Sequence, residues 1–260
     1  MNNKAEQLAA AREKLAMMGK SPRELGQESL LKTLGWIYEW GFSSSECIQN
    51  LLDRTSGGYA QKLARKGYLL QTKTVSGTPI HFFTLTRTGL EHAERNALTL
   101  LPYPEIDPYR VKQQEIRHYL VAQNATLNAL NSGGISDFLT ERMYREGDES
   151  GVKRPDFVWI SKSGLRIAGE IELSAKWDRD LDTFIRGIVL ALRSTGEQAA
   201  KFDRFIIASD SKAIVERYRT AMLPDAFYAV WIKNQRGHWE IEKRFSVPNW
   251  LIQKVDFHLI

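Results

Sequence analysis

Cysteine is nearly absent: Cys47 is the one thiol in 260 residues. A single thiol excludes an internal disulfide and a cysteine-based zinc site. Cys47 sits in an apolar helical pattern with no histidine near it in sequence, the setting of a packed thiol rather than a nucleophile. Long apolar runs are also missing. None approaches the roughly 20 residues that span a bilayer, so no membrane segment is expected. The opening Met1-Asn2-Asn3-Lys4-Ala5-Glu6 lacks the apolar stretch of a secretory leader, and a cytoplasmic location is expected. The histidines, His81, His92, His118, His238 and His258, are never two or four apart, which leaves no local histidine cage. The chain shows no internal repeat and no low-complexity tract.

Hydrophobic residues make up 43% of the chain, enough for packed cores. The net charge of +5 and pI near 9.2 point toward a polyanionic partner, and the distribution says more than the sum. Residues 1–103 hold 13 Lys+Arg against 9 Asp+Glu, a surplus of 4, whereas the remainder holds 23 against 22. Three prolines between Pro102 and Pro108 can neither continue a helix nor pair in a central strand. They divide the chain into a helical extension over 1–26 (an exposed helix over 4–18, broken at Ser21-Pro22), a first domain over 27–101 and a second over 108–260.

In the first domain, Leu30, Leu31, Leu34, Ile37 and Tyr38 recur at helical spacing, and Gly41 stops that helix. Ser43 or Ser44 caps a second helix, and a third runs from Tyr59 to Lys66. Strands over 68–75 and 80–85 flank a Ser76-Gly77 turn, and Thr86 caps a last helix. Three helices, a β-hairpin and a further helix make the winged-helix order. In such a domain the third helix enters the major groove, here offering Gln61, Lys62, Arg65 and Lys66, with Tyr59 at its start and Lys73 and His81 on the wing. The competing reading is a solvated basic helix in a protein-contact domain.

The second domain reads as a helix over 109–130, strands over 138–144, 157–160 and 165–173, a helix over 181–192, and an apolar strand over 205–208. A helix over 211–222 and late strands over 227–232 and 239–241 follow. Glu146 to Lys153 reads as a polar loop. The order α-β-β-β-α-β predicts a mixed sheet flanked by helices, an α/β (α+β) class. Asp156 opens one strand, and Glu170 and Glu172 lie two apart on the next, so both glutamates point to one face. A turn at Ser163-Gly164 brings Asp156 beside them. Three carboxylates at one place repel unless a hard divalent cation or raised pKa values relieve them. Mg2+ or Mn2+ suits such oxygens and polarises a phosphate. The competing reading is an acidic, solvated sheet edge, against which stand Ile167, Ala168, Ile171 and Leu173 in the same strand.

Arg154-Pro155-Asp156, followed about fourteen residues later by Glu170-Ile171-Glu172, resembles the PD-(D/E)XK nuclease superfamily. The resemblance implies a restriction-endonuclease-like core in which Asp156 and Glu170 bind metal. The family places a lysine where this chain has Glu172; Lys176, four residues on, is the candidate to swing back, and otherwise Glu172 is a third metal ligand. The winged-helix order together with Glu-x-Glu-Leu-Ser-x-Lys resembles, more narrowly, the replication-relaxation group and the MOBC conjugative relaxases. That group carries Ser/Thr-Glu-Arg before the Pro-Asp turn, here Thr140-Glu141-Arg142, and a histidine on the long helix, here His118. Glu141, read as sharing a strand face with Leu139 and Met143, points toward the site. The resemblance implies metal-dependent nicking of one strand at a plasmid transfer origin, with double-stranded and nicked plasmid DNA and a conjugative coupling protein as partners. Two alternatives stay open: a restriction- or repair-type endonuclease, and a plasmid regulator with an inactive core.

Overall fold

Ser21 and Glu24 open the first helix by capping each other: the Ser21 hydroxyl accepts from Glu24 N at 3.3 Å, and the Glu24 carboxylate accepts from Ser21 N at 2.6 Å. In the computed structural model, which describes residues 19–102, 104, 106–144, 151–195 and 199–260, that helix is α1 (Pro22–Trp40). The helix expected over 4–18 lies outside the described residues, as do residues 146–150 of the expected polar loop. The chain divides into two units, Met1–Val111 and Lys112–Ile260.

In the first unit, Gly41 ends α1 at φ 86°, a value that favours glycine. β1 (Ser43–Ser44) follows, and the Ser44 hydroxyl caps α2 (Ser45–Leu51). Then come α3 (Tyr59–Arg65), β2 (Leu69–Lys73), β3 (His81–Leu85) and α4 (Arg87–Glu94), capped by Thr86. The strands form an antiparallel sheet ordered β1-β3-β2, with Leu69 opposite Leu85 and Lys73 opposite His81. Leu34, Ile37, Ile48, Phe82, Phe83 and Leu85 fill the core. A Cβ on Gly89 would strike the Tyr68 carbonyl, so α4 packs this close only with glycine there. The Tyr38 hydroxyl accepts from Leu101 N at 2.7 Å and fastens the end of this unit's chain.

The single helix expected over 109–130 is instead two 3-10 turns, Pro108–Arg110 and Gln113–Glu115, before α5 (Ile116–Asn131). Val111 and Lys112 are extended between those turns, where the two units divide. Next come β4 (Ile135–Thr140), β5 (Phe157–Ser161), β6 (Arg166–Ile171), α6 (Asp178–Leu192), β7 (Arg204–Ser209) and α7 (Lys212–Ala221). The chain ends with β8 (Phe227–Lys233), β9 (Trp239–Ser246), α8 (Leu251–Lys254) and β10 (Val255–Leu259).

The main sheet is mixed, in the order β10-β7-β6-β5-β4. β4, β5 and β6 form an antiparallel meander, while β6–β7 and β7–β10 are parallel. The apolar stretch Phe205–Ala208 is buried at its centre, as a strand covered on both faces requires. Ile185, Ile188, Val189 and Leu192 of α6 pack on Val158, Ala168, Phe205 and Ile207. A Cβ at Gly169 would run into the Phe157 ring, so the β5–β6 register depends on that glycine. The last segment, whose packing the sequence left open, is β10, pinned by a two-pronged Arg204–Asp256 pair at 2.9 and 2.8 Å. β8 and β9 form a separate hairpin, tied to α6 where Trp231 Nε1 donates to Asp182 at 2.7 Å. The chain is therefore mixed α+β with a five-stranded mixed sheet.

Candidate active site

Asp156 stands one residue before β5. Its N–H donates to the Gly169 carbonyl at 3.0 Å, and its carboxylate accepts from Ile171 N at 2.8 Å. Both bonds tie it to the strand that carries the glutamates. Glu170 lies in β6, and Glu172 follows it, its N–H continuing the parallel ladder to Ala208 O at 2.8 Å. The pleat turns Glu170 and Glu172 to the same side, and both line one cavity of about 450 Å3 together with Asp156. Both glutamates are only 3% exposed, which excludes the solvated acidic edge.

Each of the three acids has acquired a basic partner. His118 of α5 places Nε2 3.0 Å from Asp156 Oδ2. Lys153, from the segment before β5, places Nζ 2.7 Å from Glu170 Oε1. Lys176, after β6, pairs with Glu172 Oε1, and the Tyr218 hydroxyl of α7 donates to Glu172 Oε2 at 3.0 Å. The Lys153 ammonium also donates to the Arg154 carbonyl at 2.9 Å, so it is shared between that carbonyl and Glu170.

Burial, and next the charge of Asp156, hold the Glu170 carboxyl well above the usual carboxylate range, against the pull of Lys153. At His118 burial opposes the charged form, but the hydrogen bond and charge of Asp156 outweigh it and raise the imidazole pKa. Lys153 is likewise opposed by burial and raised overall by Glu170. Burial, followed by adjacent carboxylates, pushes the hydroxyls of Tyr119 and Tyr218 up, so both remain proton donors. Tyr119 gives its proton to Glu141 Oε2 at 2.6 Å.

Position is enforced by backbone contacts. Lys153 N donates to the Gly187 carbonyl of α6 at 3.2 Å, and a Cβ at 187 would stand 2.8 Å from Lys153 Cβ. Glycine inside this helix therefore sets where Lys153 sits. Lys176 is held at both ends of its peptide: its N–H donates to Tyr218 Oη at 3.3 Å, and its carbonyl accepts from Arg217 Nε at 3.0 Å.

Of the residues singled out from sequence, Asp156, Glu170, Glu172, Lys176, Glu141 and His118 all line this cavity. Glu141 arrives differently from the expectation of a strand over 138–144. β4 stops at Thr140, whose carbonyl accepts from both Met143 N and Tyr144 N at 3.0 Å, so the chain turns and Glu141 reaches the cavity from that turn. Sequence reasoning missed Lys153, Tyr119 and Tyr218. A lone glycine in the apolar helix at 187 was the available signal of a close backbone approach.

Asp156 and Glu170 offer hard oxygen donors suited to a divalent cation, with Lys153 standing against the buried Glu170. Among the described residues, no three His, Cys, Asp or Glu side chains stand ready as a metal cage. Glu172 is engaged by Lys176 and Tyr218.

In the first unit, Tyr59, Lys62 and Lys66 line a cavity of their own, and Arg65 is exposed. Gln61, expected on the exposed side of α3, is half-buried and accepts from Ser45 Oγ at 3.2 Å, because α2 packs beside it. Lys73 is exposed on β2 and His81 half-buried on β3, facing each other across the hairpin.

No family model matches the chain, and no curated protein matches it. Among solved structures the chain is similar to protein VC1899 from Vibrio cholerae, at 20% identity and a TM-score of 0.28, over 73% of this chain and 48% of that one. The chain thus spans about half the length of that protein, and so distant a likeness bears on neither fold family nor activity.

Proposed function

We propose that the second unit is a metal-dependent DNA endonuclease centre of the PD-(D/E)XK kind, and that the first unit is a winged helix that delivers DNA to it. The observation that carries the reading is the convergence of Asp156, Glu170, Lys153 and His118 in one cavity, with Glu170 buried. Asp156 and Glu170 would hold Mg2+ or Mn2+, which when bound polarises the phosphoryl oxygen and lowers the pKa of water. Lys153, beside Glu170, would supply the positive charge that the family takes from the lysine of its motif, a position that here is Glu172. Glu172 then serves to anchor Lys176, with Tyr218 fixing the carboxylate. His118 is held against Asp156 through its Nε2, and so orients that carboxylate. The resemblance to the MOBC relaxases narrows the substrate to supercoiled plasmid DNA carrying a transfer origin, the product to a nicked circle, and the partner to a conjugative coupling protein.

The test is incubation of that plasmid with the full chain and Mg2+ or Mn2+, followed by end mapping. Open circles cut at one strand position are expected; a restriction- or repair-type enzyme gives linear product instead. Unchanged nicking by Asp156→Ala, Glu170→Ala and Glu172→Ala would refute the assignment. A second reading, a DNA-binding regulator with an inactive core, is favoured by the fact that each acid already has its own basic partner. Calorimetric titration with Mn2+ separates the two: an inactive core takes up no ion through Asp156 and Glu170.

A further inference from the structure

The first unit has a cavity of about 560 Å3 between the first turns of α1 and the length of α3. That volume falls in the ~300–1,000 Å3 range of pockets that hold small ligands. Its charge is one-sided. Arg23, Arg54, Lys62 and Lys66 line it, and among the described residues no carboxylate does. None of the four makes an ion pair among the described residues, whereas Lys20, Arg87 and Lys112 each find a glutamate. Four cations around one hollow, without an ion-pair partner among the described residues, repel one another and favour an anionic occupant.

The hollow is not merely charged. Leu25, Leu30 and Leu63 contribute apolar lining. The Arg54 guanidinium lies over the Tyr59 ring, 4.1 Å from its centroid, a cation–π pair. Arg54 is aimed there by the turn after α2: Asp53, not a glycine, adopts φ 49°, and Arg54 N donates to Gln49 O at 3.0 Å. A non-glycine residue in the left-handed region costs on the order of 1 kcal/mol and persists where the surroundings impose it.

The ligand that matches carries negative charge for the rim and a flat, partly apolar body for the cation–π pair and the leucines. Duplex DNA supplies only the charge, since its bases are stacked inside. A nucleotide out of the stack supplies both. We propose that this cavity receives an unpaired nucleotide of a single DNA strand, its phosphates held by Arg23, Lys62 and Lys66 and its base laid against the Arg54–Tyr59 pair. The first unit is then a reader of single-stranded as well as duplex DNA. This holds whether or not the carboxylate cavity cleaves anything.

Binding of a fluorescein-labelled oligothymidylate and of a duplex of equal length is measured on the full chain in EDTA at several salt concentrations. Arg23→Ala with Lys66→Ala is expected to weaken the single strand at least ten-fold. It should also lower its log–log salt slope by about 1.4, two contacts at roughly 0.7 each, with a smaller effect on the duplex. Arg54→Lys keeps the charge and removes the plane; about a ten-fold loss is expected for the single strand alone. Arg95→Ala, outside the cavity, should change affinity less than two-fold, and matching thermal melts establish that the variants fold. A 5-iododeoxyuridine strand should photocrosslink to Tyr59 or Tyr68. The proposal is overturned if single-strand affinity and slope are unchanged, if duplex and single strand weaken equally, if a free mononucleotide binds as tightly as the strand, or if crosslinks map only outside the cavity. Asp156→Asn is expected to retain single-strand binding, so loss of nicking there leaves this result independent.

Discussion

Replacing Gly187 by alanine tests how the charge beside Glu170 is held. In an ordinary helix the change stabilises by ~0.8–1.0 kcal/mol through helix propensity. Here the new methyl would lie 2.8 Å from Lys153 Cβ and 2.9 Å from its N, well inside contact distance. The hydrogen bond from Lys153 N to Gly187 O, now 3.2 Å, has to lengthen. Overpacking of this sort costs ~1–3 kcal/mol, which more than offsets the propensity gain. Moving Lys153 also strips the buried Glu170 of its cation, a loss of ~3–5 kcal/mol for a pair that must stay charged. Glu170 escapes most of that by taking a proton, since its pKa already stands well above the usual range. The net expectation is destabilisation of roughly 1–3 kcal/mol in urea unfolding, with Mn2+ uptake measured by calorimetry weakened as well. Lys153→Met, which keeps the stem and removes the charge, should alter the Mn2+ titration without the steric loss. A Gly187→Ala protein more stable by about 1 kcal/mol, with metal uptake intact, would show that the close approach does not place Lys153.

Cys47 is held up at about 11 from its ordinary 9.0, chiefly by burial. The unfolded chain therefore releases this proton before the native one does, and stability should fall as pH rises from about 9 to 11, by roughly 2–3 kcal/mol. Urea curves at pH 8 and 10.5, against Cys47→Ala, check it; rapid thiol labelling of native protein at pH 8 contradicts it. Gly169→Ala drives a methyl into the Phe157 ring and should cost ~1–3 kcal/mol in thermal unfolding, partly restored by adding Phe157→Leu. No recovery in the double variant would mean the ring is not what the methyl meets. Arg204→Ala removes both bonds to Asp256, but the pair is 39% exposed at each end, so global stability should fall by less than about 1 kcal/mol. Faster amide exchange confined to Val255–Leu259 is the expected sign, and unchanged exchange there counts against the pin.

Much of this architecture was readable along the chain because it is local. Period-two spacing puts Glu170 and Glu172 on one face, and the turn at Ser163-Gly164 returns Asp156 to them, so the acids needed no long-range information. The β7 strand announced itself as an unbroken apolar run. The cations are a different matter. Lys153 meets Glu170 only because α6 lays Gly187 against it, and Tyr218 reaches Glu172 from 46 residues away, across a parallel strand connection. No spacing rule encodes such meetings. The strand expected through Glu141 failed for a related reason: Leu139 and Met143 keep the alternation, but the Thr140 carbonyl closes a turn on Met143 and Tyr144. Gln61 looked free on a basic helix because its partner, Ser45, comes from a different helix.

The two halves of the main sheet also differ in when they can assemble. The β4–β5–β6 meander joins neighbours along the chain, whereas β7 and β10 add in parallel only after crossovers of tens of residues have closed. The topology therefore predicts that the meander brings Asp156 and Glu170 together before α7 delivers the Tyr218 hydroxyl to Glu172. On that order these carboxylates meet before their restraint is complete, and their mutual repulsion is expected to slow refolding. Refolding should accordingly quicken as pH drops toward the carboxyl range, until native stability itself declines, and stopped-flow traces with Glu172→Gln should show less of that acceleration.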